Sequence, residues 1–306
     1  MGCCSRLAMV AAVLSFTNIA AAQAPSPPAP GPMARAGYSV PWSLRPALAA
    51  NIVRLDSVYS VASHGNAWVS ILTAGYRPVR SLPTLGLLFR SGVVGSYPGS
   101  GGSAWALTSP TFIALFTPEI APHVRLAPTL AFSLPIGAGG GNPPDQDAAN
   151  RGAMTAGIYP RQSLDAALFL TNYMAIVAGL GAAWIHRELT VQAEASLLQF
   201  VRVRGELVDA DEARTNFTTG LHVGYQVVPS VTLSAELHYQ HWLSTPAAVA
   251  RNEALRSQLT VGGGVRANIP VGGALLRPGV AFFAPVGGQM NALDYKVFQL
   301  DLLAAL

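Results

Sequence analysis

Cysteine and charge are both scarce in this chain. Its 306 residues include two cysteines, Cys3 and Cys4, and a single lysine, Lys296. Charged residues make up 11% of the chain and hydrophobic residues 51%, whereas a soluble domain carries about 25% charged residues. A soluble protein of this length could not cover its surface with so few charges. The composition therefore indicates that lipid surrounds much of the molecule.

Long apolar runs are scarce as well, because most hydrophobic residues alternate with polar ones. A transmembrane helix needs about 20 consecutive apolar residues, whereas a lipid-facing strand needs alternation. Residues 166–185 are the exception, since they carry no charge and are long enough to cross a bilayer as a helix. Thr171, Asn172 and Gly179 interrupt the run, and an alternating strand pattern follows it. A barrel strand explains the segment and its neighbours, and a transmembrane helix is the alternative.

Residues 1–22 are predicted to be a secretory signal peptide. Arg6 precedes an apolar stretch that begins at Leu7, and Ala20 to Ala22 supply the small residues before the cleavage site. Cleavage there would remove both cysteines and leave no disulfide or thiol chemistry. Lipidation is not indicated, because Arg6 stands where myristoylation requires Ser or Thr. We therefore expect export across the inner membrane.

The remaining chain divides into two predicted parts. Residues 23–45 are predicted to be a Pro-rich linker, because PSPPAPGPMARA at 25–36 is too stiff and too polar to pack. Residues 46–306 are predicted to form a single barrel domain. Its clearest strand signal is VTLSAELHYQHWL at 231–243, in which apolar and polar residues alternate with period two.

About twelve strands are predicted in the barrel domain, with ten or fourteen as alternatives. Tight turns and longer Gly-, Pro- and acid-rich connections alternate along most of the chain, which is typical of bacterial outer-membrane barrels. The predicted spans are 47–62, 66–76, 84–94, 104–116, 123–135, 173–185, 189–204, 215–227, 231–243, 255–268, 274–284 and 295–305.

The last strand carries a resemblance to a known family. Apolar residues occupy every second position, at Phe298, Leu300, Leu302, Ala304 and Leu306. This pattern resembles the C-terminal assembly signal of bacterial outer-membrane β-barrels, although those proteins usually end in Phe. The resemblance implies an all-β fold, a single transmembrane antiparallel up-and-down barrel of porin-like or transporter type. It also implies contact with outer-membrane lipid and recognition of the last strand by the barrel-assembly machinery.

If the polar face of each strand faces the lumen, eight arginines and four carboxylates line it, together with two histidines. The predicted lumen-lining residues are Arg54, Asp56, Arg90, Arg125, Glu194, Arg202, Arg204, His222, Glu236, His238, Arg256, Arg266, Arg277 and Asp301. An excess of fixed positive charge in a water-filled pore favours anions. Alternatively, the arginines pair with the carboxylates in a network that closes the interior, because buried charges must be paired.

The signals for other functions are weak. His222 is predicted to face Glu236 across the hairpin that turns at 228–229, but no motif supports Ser234 as a nucleophile beside them. No metal is predicted, since the six histidines are scattered, and no cofactor is predicted. The basic residues are spread singly, so nucleic acid is not expected as a partner.

The sequence therefore predicts a non-enzymatic, exported protein of the bacterial outer membrane. Its predicted function is that of a passive channel or porin-like transporter for small polar or anionic solutes. The alternative is a closed structural or adhesive barrel that acts through its external loops, above all the long connection at 136–172. Whether that connection folds into the barrel is left open.

Overall fold

The structure is a computed structural model that describes residues 37–99, 102–142, 148–161, 164–206 and 213–306. The predicted signal peptide and residues 23–36 of the predicted linker lie outside the described residues. The described chain forms a closed antiparallel β-barrel of twelve strands with three further short strands, which confirms the predicted fold. Closure comes from pairing of the first strand with the last, from Ile52 opposite Ala305 to Val61 opposite Lys296.

Fifteen strands make up the sheet, and the three short ones are β4, β6 and β13. In chain order the strands are β1 (Ile52–Ala62), β2 (Gly65–Tyr76), β3 (Leu85–Pro98), β4 (Ala104–Leu107), β5 (Thr111–Phe116), β6 (Glu119–Ala121), β7 (Val124–Ser133), β8 (Tyr173–His186), β9 (Leu189–Arg202), β10 (Ala213–Val228), β11 (Val231–Trp242), β12 (Ser257–Ala267), β13 (Ile269–Val271), β14 (Ala274–Pro285) and β15 (Lys296–Ala305).

The wall has apolar residues outside and polar residues inside, the reverse of a soluble barrel. In β1, Val53 and Leu55 are 41% and 45% exposed, whereas Arg54 and Asp56 between them are buried. Successive side chains of a strand point to opposite faces, so this pattern puts the apolar face toward lipid and the polar face toward the lumen. The alternation that predicted the strands thus also sets their orientation.

Helices are short in the described residues. They are α1 (Ala148–Ile158), α2 (Ala166–Phe169), α3 (Ala247–Arg251) and α4 (Gly288–Ala292), with a 3-10 turn at Glu253–Leu255. None of the helices in these ranges is long and apolar enough to cross a membrane. The alternative of a transmembrane helix at 166–185 is therefore wrong. The chain makes one helical turn and then enters β8, where Gly179 and Gly181 pair with neighbouring strands.

Two segments fill the lumen, one from each end of the barrel. We name residues 37–51 the N-terminal lumen segment, and we name the described residues between β7 and β8, 134–142, 148–161 and 164–172, the inner loop. The N-terminal lumen segment starts beside Arg187 at the rim of tight turns and leads into Ile52, the first residue of β1. Tyr38 and Trp42, halfway along its path, are buried. Residues 37–45 of the predicted linker are thus packed inside the barrel, and β1 begins at residue 52 rather than 47.

The physical reason lies in the composition of the N-terminal lumen segment. Unlike the preceding Pro-rich stretch, it is rich in large apolar side chains and has one charge, on Arg45. The hydroxyl of Tyr38 accepts a hydrogen bond from the main-chain N–H of Ala47 at 2.8 Å, which draws the outgoing and returning halves together. Such a segment buries apolar area instead of remaining an extended linker.

The inner loop folds into the barrel from the opposite rim. Its buried side chains pack on inward-facing residues of β2, β3 and β4. On the inner-loop side the cluster contains Ala153, Met154, Leu168 and Phe169, and on the wall side it contains Val69, Ile71, Val94 and Ala106. The structure therefore answers the question that the sequence left open about 136–172.

Candidate functional site

The predicted lumen-lining residues fall into two groups in the structure. Nine of them are buried within the barrel, namely Arg54, Asp56, Glu194, His222, Glu236, His238, Arg266, Arg277 and Asp301. The other five are more exposed, namely Arg90, Arg125, Arg202, Arg204 and Arg256. Within the second group, Arg125 pairs with Glu119 and Arg256 pairs with Glu253, both near strand ends.

Asp301 lies between two guanidiniums. Its carboxylate accepts a hydrogen bond from Arg54 Nε at 2.7 Å and pairs with Arg266 Nη2 on its other oxygen. The guanidinium carbon of Arg266 also lies 3.9 Å from the ring centroid of Trp42. The N-terminal lumen segment therefore packs on a charge cluster whose two ion pairs are both made within the wall.

A second cluster joins the wall to the inner loop. Arg161 lies 2.6 Å from Asp56 on β1 and 2.9 Å from Asp165, which also binds Arg90 through both carboxylate oxygens at 2.6 and 2.8 Å. Sequence reasoning missed Arg161 and Asp165, because they lie in a connection without strand periodicity. Their i, i+4 spacing was the only available signal.

Glu236 holds the centre of the N-terminal lumen segment. Its two oxygens accept hydrogen bonds from the main-chain N–H of Trp42 at 2.5 Å and of Ser43 at 3.1 Å. His222 Nδ1 and His238 Nε2 lie 2.9 and 2.7 Å from the same carboxylate. The β10–β11 register places His222 directly opposite Glu236, as the hairpin pattern predicted.

Ser39 extends this cluster into a row of serine, histidine and glutamate. Its hydroxyl lies 3.0 Å from His222 Nε2, so the order of groups matches that of a serine hydrolase. Ser39 is buried, however, and a Cβ at Gly224 would overlap it. This leaves no room for an acyl group at the hydroxyl, so the row anchors the segment. Ser234, the serine considered from the sequence, instead accepts a hydrogen bond from Trp42 Nε1 at 2.8 Å.

Arg45 provides the charged anchor of the N-terminal lumen segment. Its guanidinium pairs with Glu194 on β9, and its main-chain N–H donates to the other oxygen of that carboxylate at 2.9 Å. Arg45 was placed in the predicted linker, so sequence reasoning missed it. The partner lies 149 positions away in the chain, and no local pattern links the two.

Little space remains between the two segments. A cavity of about 30 Å³ lies at their junction, and it is lined by Trp42 and Arg45 of the N-terminal lumen segment, by Arg161 of the inner loop, and by Arg54 and Arg90 of the wall. A cavity of this volume has room for about two water molecules. Within the described ranges, no three His, Cys, Asp or Glu side chains are grouped to hold a metal ion.

Comparison with known proteins identifies the fold. The sequence matches no protein-family model and no curated protein. The NanC porin aligns with a TM-score of 0.53 and 7% identity over 82% of this chain and 98% of its own. The COG4313 outer membrane channel from Pseudomonas putida F1 aligns with a TM-score of 0.54 and 15% identity, over 88% of this chain and 100% of its own. The chain therefore has the fold of bacterial outer-membrane barrels.

Proposed function

We propose that this protein is an outer-membrane channel for small polar solutes, closed in the present state by the N-terminal lumen segment and the inner loop. The observation that carries the proposal is that the wall is complete without residues 37–51. Strand β1 pairs with β15 from Ile52 onward, so the N-terminal lumen segment can leave without opening the sheet. A twelve-strand barrel is wider than the eight-strand size that side chains alone can fill.

The distribution of charge supports polar solutes with a mild preference for anions. Four arginines and four carboxylates of the wall face each other inside the barrel, namely Arg54, Arg90, Arg266 and Arg277, and Asp56, Glu194, Glu236 and Asp301. Of the other predicted lumen arginines, Arg125 and Arg256 are paired with Glu119 and Glu253, so Arg202 and Arg204 carry the excess of positive charge. Positive charge near the mouths raises the local concentration of anions, while the balanced interior discriminates weakly.

The proposal also places the protein in the bacterial outer membrane, exported by its N-terminal signal. The apolar outer face supports contact with lipid. The alternating last strand, up to Leu306, supports recognition by the barrel-assembly machinery.

Planar-bilayer recording tests the proposed channel. The refolded chain is expected to show rare openings, and a variant lacking residues 37–49 is expected to show steady conductance steps with a weakly anion-selective reversal potential. Silence from both proteins, each shown to be a folded barrel by its heat-modifiable migration, would contradict the channel.

A closed structural or adhesive barrel is the second candidate, because two cavities beside the N-terminal lumen segment measure about 30 and 10 Å³. The arginine–carboxylate clusters around Asp301 and Asp165 fit this function equally well. The same recording separates the candidates, since a structural barrel stays silent when the N-terminal lumen segment is deleted.

A further inference from the structure

The wall holds the N-terminal lumen segment largely through its main chain. Carboxylates of the wall accept its N–H groups, and guanidinium and amide groups of the wall donate to its carbonyl oxygens. Arg277 donates to the carbonyl of Tyr38 at 2.9 Å, and Arg266 donates to that of Val40. Arg54 and Gln299 donate to the carbonyl of Trp42 at 2.5 and 3.2 Å, and Gln192 donates to that of Arg45 at 2.6 Å. The N–H groups are those of Trp42 and Ser43 on Glu236 and of Arg45 on Glu194.

Two side chains of the segment also make specific contacts with the wall. The Trp42 ring packs under the guanidinium of Arg266 and against Gly279, where a Cβ would lie 2.7 Å from the indole. Arg45 reaches Glu194 and donates to Ser196 Oγ at 2.9 Å. The wall thus offers one aromatic position and one cationic position three residues further along.

These wall groups are costly to leave without hydrogen-bond partners. When the segment leaves, Glu236 and Glu194 each lose charge-assisted hydrogen bonds, and Arg54, Arg266 and Arg277 lose carbonyl acceptors. Water replaces such partners only in part inside a narrow lumen, and unsatisfied charged groups are expensive. A peptide that follows the same bent course supplies the same N–H and C=O groups.

We infer that the opened lumen is a binding site for peptides that can adopt the bent course of residues 38–47, preferably with an aromatic residue followed three positions later by Arg or Lys. The inference rests on the proposed function, because it names the class of polar solute that the channel admits. The N-terminal lumen segment is then a ligand analogue built into the chain.

Tethering explains why a free peptide would not displace the segment in the native chain. A short flexible tether gives an intramolecular ligand an effective concentration in the millimolar range. A free peptide at micromolar concentration therefore competes only when the anchors of the segment are weakened. Replacing Trp42 and Arg45 by Ala does this while leaving every wall residue in place.

The test uses a fluorescent synthetic peptide with the sequence of residues 37–51, GYSVPWSLRPALAAN. Its binding to the full-length chain in detergent is measured by anisotropy, for the unaltered chain and for the Trp42→Ala/Arg45→Ala variant. Saturable binding to the variant, at least about tenfold tighter than to the unaltered chain, is expected. A peptide N-methylated at Trp42 and Ser43 keeps all side chains but loses both donors to Glu236, so it should bind about tenfold more weakly or worse.

Equal binding of the N-methylated or a scrambled peptide would overturn the inference, as would no binding to the variant. If the double variant does not fold, Arg45→Ala alone serves, since it removes only the ion pair with Glu194 and the bond to Ser196. Conductance of the same variant separates the two proposals. Openings without peptide binding support the channel and overturn the peptide site, whereas peptide binding without openings supports the site and overturns the channel.

Discussion

The guanidinium of Arg161 lies 2.6 Å from the carboxylate of Asp56, although the two residues are 105 positions apart in the chain. Their side chains are 2% and 4% exposed, so the contact is a buried ion pair between the inner loop and the first wall strand. Asp165 and Arg90 complete the cluster and tie the inner loop to β3 as well. Charge pairing therefore holds the inner loop to the wall in addition to apolar packing.

Replacing Arg161 with Met is expected to release the inner loop, because Asp56 and Asp165 lose their shared cation. Removing one partner of a buried pair costs about 3–5 kcal/mol. Limited proteolysis within 148–161 should become much faster, while the barrel keeps its heat-modifiable migration. Arg251→Met, at an exposed site in α3, is the control and should leave the cleavage rate unchanged. Unchanged cleavage in Arg161→Met would show that apolar packing alone holds the loop.

Replacing Gly224 with Ala is expected to expel the N-terminal lumen segment. The new Cβ would overlap the side chain of Ser39, which is packed against β10. Open probability in a bilayer should rise at least tenfold over that of the unaltered chain. A loss of about 1.4 kcal/mol in the free energy that holds the segment in the lumen is enough for a tenfold change. Gly181→Ala is a matched control on an inward-facing glycine, since its Cβ would lie 3.2 Å from the nearest atom, Ala127 Cβ. Similar conductance from both variants would contradict the clash as the cause.

Replacing Arg125 with Glu is expected to shift the reversal potential under a salt gradient toward cations. Arg125 pairs with Glu119 near the rim of tight turns, so reversal of its charge adds a carboxylate beside another at a mouth of the lumen. The shift should shrink at 1 M salt, where the Debye length is about 3 Å. An unaltered potential at low salt would remove Arg125 from the ion pathway.

Replacing Arg266 with Glu should act differently, because this guanidinium is buried against Asp301 and Trp42. A second carboxylate beside Asp301 leaves two like charges without their cation, and the carbonyl of Val40 loses its donor. We expect the N-terminal lumen segment to leave the lumen, or the barrel to fail to assemble, rather than a change in ion selectivity alone. A variant that assembles, stays closed and changes only its ion preference would contradict this role.

The seating of the inner loop should be insensitive to pH near neutrality. Burial opposes ionisation of Asp165, but the guanidiniums of Arg90 and Arg161 outweigh it and hold the pKa of this carboxyl well below its usual range. Its stabilising contribution is therefore fully present above the ordinary Asp value of about 3.9 and is lost only as the pH falls through the lowered pKa. Open probability should stay constant from pH 8 to pH 5 and rise only in stronger acid. Opening near pH 6 would implicate a histidine instead.

The wall could be predicted from the sequence because its pattern is local. In β11, Leu233 and Leu237 alternate with Glu236 and His238, and lipid outside with a polar lumen inside fixes which set faces which way. The boundaries differ where this pattern fades. The predicted strand 104–116 is broken into β4 and β5, and β1 begins at Ile52.

The contents of the lumen could not be predicted in the same way. Arg45 and Trp42 lie in a short run without the period of a membrane strand, next to a Pro-rich stretch. Their partners Glu194 and Glu236 follow 149 and 194 positions later. Arg161 likewise meets Asp56 only because the inner loop turns back into the barrel.

The sequence by itself determined a twelve-strand outer-membrane barrel with arginines and carboxylates on its inner face. It could do so because the alternation that defines each strand depends only on residues that are adjacent in the chain. Only the tertiary structure decided which of these charges pair and that residues 37–51 and the inner loop lie in the lumen. Those outcomes depend on contacts between groups far apart in the chain, whose geometry exists only once the wall has closed.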